Sequence, residues 1–427
     1  MYQFLICTAL CIHLTFAFPW VADLPGIDTS ILNAKTSPRA HRKRQSNNAG
    51  SLENCPVNAN HPGAAPYNPD YPYSGAAFPI PGSGIGGYEV PAPGDEAHYF
   101  TPPGEDDIRG PCPGMNTAAN HNFLSHDGIT NMAELMDAQQ NLYNLGYDLA
   151  LIIAVRAIAT AGDVTTTKLS IGCDATPRTS IDPTGLLGDE QGLDGHNKFE
   201  GDTSLTRTDY FFRGDDFSFN TTLWEEFVQY AQQYGGGQFN RDTITAYRSQ
   251  RYDESLNTNP NFYFGPKSLL LYGAASFIYQ VFPGSNHAPD LDTISTFFGA
   301  EYDDDTDTWT HVPERLPSNW TNRATAYTVP EVAGEIFDTF GSNPKPIGGN
   351  AGVGNFLAID SIGGIVNGSL PSNETQADFV CLLYQILTEN IPGEVSNEPE
   401  LPLNALTFII SQINPAFANS GCPLKIA

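Results

Sequence analysis

Of the seven cysteines in the 427-residue chain, Cys7 and Cys11 fall in an apolar N-terminal run, Phe4 to Phe18, of secretory-signal length. Thr15 and Ala17 are small residues suited to cleavage. A signal peptide is therefore expected over 1–17, then a pro-segment over 18–44 ending in Arg42-Lys43-Arg44. A membrane anchor needs about 20 apolar residues, and Pro19 and Asp23 interrupt the run too soon. Five cysteines remain: Cys55, Cys112, Cys173, Cys381 and Cys422. An odd number in an oxidising compartment cannot all pair within one chain. The fold has to protect or employ one thiol.

Charge narrows the partners. Lys and Arg number 20 against 48 Asp and Glu, a net −28, and a surface of that sign repels phosphate backbones and anionic lipid. Neither nucleic acid nor a membrane is expected as a partner. Four glycosylation sequons, at Asn220, Asn319, Asn367 and Asn373, fit a secreted, extracellular glycoprotein.

Residues 45–110 are rich in Pro, Gly, Asn and Tyr and show no helical or strand period. An extended arm is expected over 45–94, lying on a single globular unit over 95–427. Asn131 with Glu134 has the form of a capping box, and apolar residues from Met132 to Ile153 recur at helical spacing before Gly162. The same period runs from Leu223 to Tyr234 and stops at Gly235-Gly236-Gly237. Further helices are predicted over 241–256, 331–340, 374–389 and 402–413. Alternating strands are scarce, so the expected fold class is all-α, with 183–197, 284–320 and 341–370 as long loops.

Three motifs carry little chemistry. Gly82-Ser-Gly-Ile-Gly-Gly87 has the spacing of a nucleotide loop, but it follows Pro79-Ile-Pro81 and opens no helix, so it reads as plain loop. Asp303, Asp305, Asp307 and Glu314 sit at calcium-loop positions, yet Thr308 stands where the turn requires Gly, leaving a solvated acidic loop. His121 and His126 are five apart, on different faces of any helix, which disfavours a zinc site with Asp127.

The segment Arg109-Gly-Pro-Cys-Pro-Gly-Met-Asn-Thr-Ala-Ala-Asn-His121 is different. Pro111 biases Gly110 away from α, and Pro113 suits the first helical position because it lacks an amide hydrogen. Cys112 then caps a helix, where free N–H groups and the positive dipole end favour a thiolate. Held between two prolines, that thiolate is suited to bind a metal end-on. On spacing alone it stands equally as a loop cysteine, free or bridged.

This segment resembles the haem-ligand motif of the fungal haem-thiolate peroxidases, the chloroperoxidase and unspecific peroxygenase family. A second motif of that family follows as Phe199-Glu200-Gly201-Asp202-Thr203-Ser204-Leu-Thr-Arg207, whose Glu-Gly-Asp form is that of the peroxygenase branch. Asp95-Glu-Ala-His98, Leu169-Ser-Ile-Gly172, Tyr234-Gly-Gly-Gly237 and Thr258-Asn-Pro-Asn-Phe262 are also similar to the long-type peroxygenases. The resemblance implies a chloroperoxidase-like helical domain with haem b. Cys112 would be the axial iron ligand, donating electron density that favours cleavage of the peroxide O–O bond. It also implies magnesium near a haem propionate, held by the Glu200 carboxylate, the Gly201 carbonyl and the Ser204 hydroxyl, an oxygen-only set for a hard cation. Cys381 and Cys422 match the spacing of the family's terminal disulfide. Cys55 and Cys173 are left able to pair, without support from the family.

One departure stands out. Where peroxygenases carry a distal Arg and, seven residues on, a Glu that moves a proton between peroxide oxygens, this chain has Lys267 and Ala274. Alanine transfers no proton, and such acid–base help is worth about 10²–10⁴-fold. The function implied is peroxide-driven oxidation or hydroxylation of a small organic molecule, aromatic or a secondary metabolite, with Lys267 the remaining distal catalytic candidate. The alternative is a haem-binding member of the family that has lost turnover through Ala274.

Overall fold

The computed structural model describes residues 54–181, 192–198, 200–360, 364–372, 374–390 and 401–426. The signal and pro-segment readings, Phe199 and Asn373 lie outside these.

Twelve α-helices occur among the described residues. The first six are α1 (Pro113–Asn120), α2 (Met132–Asn141), α3 (Tyr147–Ala161), α4 (Thr176–Thr179), α5 (Tyr210–Arg213) and α6 (Thr221–Tyr234). They are followed by α7 (Arg241–Thr258), α8 (Leu270–Gln280), α9 (Leu291–Phe298), α10 (Val329–Ser342), α11 (Gln376–Thr388) and α12 (Leu403–Phe417). Several start where side-chain caps dictate. Asn131 accepts from the amides of Ala133 and Glu134, and Thr375 forms a capping box with Asp378. The apolar period from Met132 to Ile153 is split in two, because Asn144 adopts a left-handed conformation (φ 55°) and Gly146 restarts the chain as the cap of α3.

The all-α expectation needs correction: the fold is mostly helical but carries three small antiparallel sheets. β1 (Ile129–Asn131) pairs with β2 (Lys168–Ser170), and β3 (Tyr263–Phe264) joins β6 (Gly348–Asn350) and β7 (Phe356–Ala358). β4 (Ala300–Asp303) and β5 (Thr308–His311) form a hairpin in which Tyr302 faces Trp309. Strands of two to four residues are too short to display an alternation. The segments 284–320 and 341–370 are accordingly not plain loops, since they hold α9 and four of these strands.

α3 runs through the centre. It is buried along nearly its whole length and packs chiefly against α12 and α2, with Ala150, Ala154 and Ala157 permitting close approach. On the other side α8 packs on α10, and α10 on α11. The arm from residue 54 to Asp95 has no helix or strand and is pinned by polar contacts. Asn141 exchanges two bonds with the backbone of Ala76, and Gly82, in the glycine-rich loop, donates to the Gln140 side chain at 2.9 Å.

Two disulfides close the body. Cys55–Cys173 ties the arm beside β2, and Cys381–Cys422 joins α11 to the segment after α12. Cys112 is the free cysteine among the described residues. The Cys381–Cys422 bridge spans 41 residues. Replacing both cysteines by serine is expected to lower stability by about 2–4 kcal/mol through the freed chain entropy, read as a shift in denaturant midpoint. An unchanged midpoint would mean the pair is not bridged.

Candidate active site

α1 begins at Pro113 as the local sequence requires. Cys112 is extended (φ −87°, ψ 108°) and holds the cap position without a side-chain capping bond, so its sulfur is not spent on the helix end. The loop before it is fixed by close backbone approach. A Cβ on Gly110 would lie 1.9 Å from the Ile171 carbonyl oxygen, and one on Gly172 would lie 2.4 Å from that of Arg109. The two glycines, 62 residues apart in motifs that look unrelated in sequence, thus let the cysteine loop seat on the end of β2.

Polar side chains of α1 complete the clamp. Asn116 accepts from the Gly110 amide and donates to the Gly110 carbonyl and, at 2.8 Å, to Glu314. Asn120 accepts from Arg109 Nε and donates to the Glu314 carbonyl. Sequence reading placed Glu314 in a solvated acidic loop. It is instead buried at 2 % exposure and braces the cysteine helix from 198 residues away, a contact without any local signal.

Cys112 opens onto a cavity of about 340 Å³. Its walls are mostly apolar: Ile152 and Ile153 from α3, Leu271 and Phe277 from α8, and Phe282 and Phe298 nearby. Glu200, Gly201 and Ser204 line one edge, with Arg248 beside them. Lys267, in a 3₁₀ turn over Pro266–Leu269, and Ala274, on α8, line the same cavity. The structure therefore brings together every site residue expected from sequence, except that the two disulfide cysteines serve the framework. Among the described lining residues Glu200 is the one carboxylate, and no histidine reaches the cavity.

The electrostatics separate burial from design. Burial pushes the Cys112 thiol up to about 11. The amides of Met115 and Gly114 and the charge of Arg207 pull the other way, whereas Glu200 adds to the rise. The helix N-terminus thus acts in the expected sense, and burial outweighs it. Glu200 is raised to about 7, by burial first and by Asp216, against Arg207 and Arg248.

Arg207 and Arg248 were not singled out from sequence. Arg207 is buried, donates to the Pro111 carbonyl at 3.1 Å and leaves its Nε unpartnered. Arg248 donates twice to Thr203, lies 4.7 Å from the Tyr272 ring and likewise leaves Nε unpartnered. The buried Arg248 with a spare donor at the edge of an apolar slot, Arg207 with another close to the cysteine loop, and a sulfur outside any disulfide fit a flat apolar group with anionic substituents and a metal centre.

The other candidate ligands have separate structural duties. His121 bonds the His98 carbonyl, His126 bonds the Ala119 carbonyl, and Asp127 pairs with His61 and Arg178. Among the described residues no three His, Cys, Asp or Glu side chains converge to hold a metal on their own.

Comparison with known proteins adds the context. The family described as "Peroxidase, family 2" matches residues 98–325. An aromatic peroxygenase of Coprinellus radians is 39% identical over 189 residues, 44% of this chain and 71% of that protein. The aromatic peroxidase fscJ of Fusarium equiseti is 29% identical over 344 residues, covering 76% and 78%. The dothistromin biosynthesis peroxidase dotB of Dothistroma septosporum is 29% identical over 316 residues, covering 70% and 74%.

Proposed function

The chain belongs to peroxidase family 2, the haem-thiolate peroxidases and peroxygenases, and from that membership we propose that it uses hydrogen peroxide to oxidise or hydroxylate a small aromatic molecule in the cavity above Cys112. The observation that carries this reading is the meeting of a cysteine outside any disulfide, the buried Arg248 guanidinium and an apolar slot in one cavity.

Cys112 would hold the iron of haem b, with Arg248, and Arg207 behind it, facing the acidic substituents. Bound there, the haem supplies peroxide cleavage, favoured by an electron-donating thiolate. The chain's own part is positional and electrostatic. The Gly114 and Met115 amides and Arg207 offset the charge on sulfur, and Tyr143, donating to the Gly114 carbonyl at 2.6 Å, fixes the first turn of α1. The aliphatic and aromatic wall excludes water and favours an apolar substrate.

Magnesium is the further cofactor we propose, at the cavity edge. Glu200, the Gly201 carbonyl and the Ser204 hydroxyl supply three oxygens, and water and the bound group would supply the rest, since a hard cation favours oxygen and keeps part of its water shell. The distal wall supports Lys267 as the side chain that steadies negative charge during peroxide activation, with no carboxylate on α8 to move the proton. Secretion is proposed on the leader and on two exposed sequons, Asn319 and Asn367. Asn220 is committed instead to capping α6 and to a bond with Thr208.

The test is turnover. Haem-replete protein given peroxide and a panel of aromatic and alkyl substrates is expected to yield oxygenated products, with aromatics preferred. Haem-replete protein that consumes peroxide yet forms no product from any of them would leave a haem-binding protein without this function.

A further inference from the structure

A line of aromatic rings leads from the cavity wall to the surface. Phe298 lines the cavity, and its ring centroid lies 5.5 Å from that of Trp224, which is fully buried. Trp224 stands 5.7 Å from Trp309 on β5, and Trp309 stands 5.1 Å from Tyr302, its cross-strand partner on β4. All three separations are those of rings in contact. Tyr302 is 41 % exposed, and its hydroxyl donates to the Asp307 carboxylate.

The chemistry of the rings differs in a useful order. Phenylalanine resists oxidation, so Phe298 is wall rather than relay. Trp224 Nε1 has no hydrogen-bond partner, so an oxidised Trp224 has no base to take its proton and hands the electron vacancy on intact. Tyr302 ends the line beside a carboxylate, the arrangement that lets a phenol lose an electron and a proton together. A second run of rings reaches exposed Tyr234 through Phe227, Tyr247 and Tyr230. It is the poorer route, because Phe227 interrupts it and the Tyr247 hydroxyl donates to the Leu223 carbonyl rather than to a carboxylate.

We infer that Trp224, Trp309 and Tyr302 form a path that moves oxidising equivalents from the cavity to a second reaction site at the tip of the β4–β5 hairpin, where phenols or aromatic amines too large for the cavity are oxidised by one electron. The inference rests on the proposed peroxide-driven activity and adds a substrate class to it. The electrons balance. Trp309 takes an electron from Tyr302, whose proton passes to Asp307, leaving a tyrosyl radical. An external phenol gives that radical a hydrogen atom and departs as a phenoxyl radical, and Asp307 releases its proton to water. Two such electrons and two protons from solvent reduce one hydrogen peroxide to two waters in the cavity.

The test uses haem-loaded full-length protein mixed with peroxide and freeze-quenched without substrate, read by electron paramagnetic resonance. It is run beside oxidation of a phenol tethered to dextran, which cannot enter the cavity. Wild type is expected to give a tyrosyl signal that Tyr302→Phe removes and Trp309→Phe strongly diminishes. Both conservative variants should lower tethered-phenol oxidation roughly tenfold or more, while turnover of a small cavity substrate stays unchanged. A tyrosyl signal and tethered-phenol rate indifferent to both changes, in protein that still turns over the small substrate, overturns the path and leaves the cavity function standing. Haem-loaded protein inert toward peroxide and every substrate overturns both.

Discussion

Replacing Cys112 with alanine is expected to erase the red-shifted Soret band that a thiolate-ligated ferrous haem shows with carbon monoxide, and to cut peroxide-driven turnover by about three orders of magnitude or more. The fold should survive. The Cys112 side chain makes no capping bond, and α1 is held by Pro113 at its first position and by the Asn116 and Asn120 contacts with Glu314. An unchanged far-ultraviolet circular dichroism spectrum would document that survival, so that the lost band reports the ligand and not unfolding. A second variant sharpens the result. Arg207→Lys keeps a positive charge but sacrifices the geometry of the bond to the Pro111 carbonyl. It should retain the band and bind haem more weakly. Persistence of the thiolate band in Cys112→Ala would place the iron ligand elsewhere.

What the sequence disclosed, and what it hid, divides by range. Cys112 was legible because its constraints are neighbours: Pro111 and Pro113 set the backbone on either side, and a cysteine left over from pairing needs a role. Glu200, Gly201 and Ser204 were legible only through resemblance, since nothing in their own spacing separates a cation edge from a capped loop. Lys267 and Ala274 were legible as a departure, and they do face one cavity.

Contacts between distant segments were not legible. Gly110 and Gly172 gave no sign of touching, and Glu314 was indistinguishable from the acids of the preceding loop until the β4–β5 hairpin brought it under α1. The hairpin itself escaped because its strands are only four residues long, so the alternation of Ala300, Glu301, Tyr302 and Asp303 is too brief to stand out beside the acidic turn. The division of α2 from α3 escaped for a related reason. The apolar period continues through Leu142 and Leu145, which are buried in the turn as they would be in a helix.

The opposite experiment adds a group rather than removing one. Ala274→Glu is expected to accelerate peroxide activation by about a hundredfold, the lower end of what a positioned general acid–base contributes. Ala274 is exposed and lines the cavity, so the larger side chain projects into open space and does not overpack α8 against α10. Lys267, seven residues earlier, lines the same cavity and offers a cation that favours the ionised carboxylate, while the surrounding apolar wall favours the neutral acid. A proton acceptor must be ionised, so the gain should be absent at low pH and grow as pH rises through the new group's pKa. Removing the Lys267 charge by Lys267→Met in the same background should move that rise to higher pH. The measurement is single-turnover peroxide reaction by stopped flow across pH, with the ferrous carbon-monoxide spectrum confirming that the iron ligand is unchanged. Should the carboxylate give no acceleration at any pH in protein with an intact spectrum, Ala274 does not face the peroxide, and the slow step lies away from that wall.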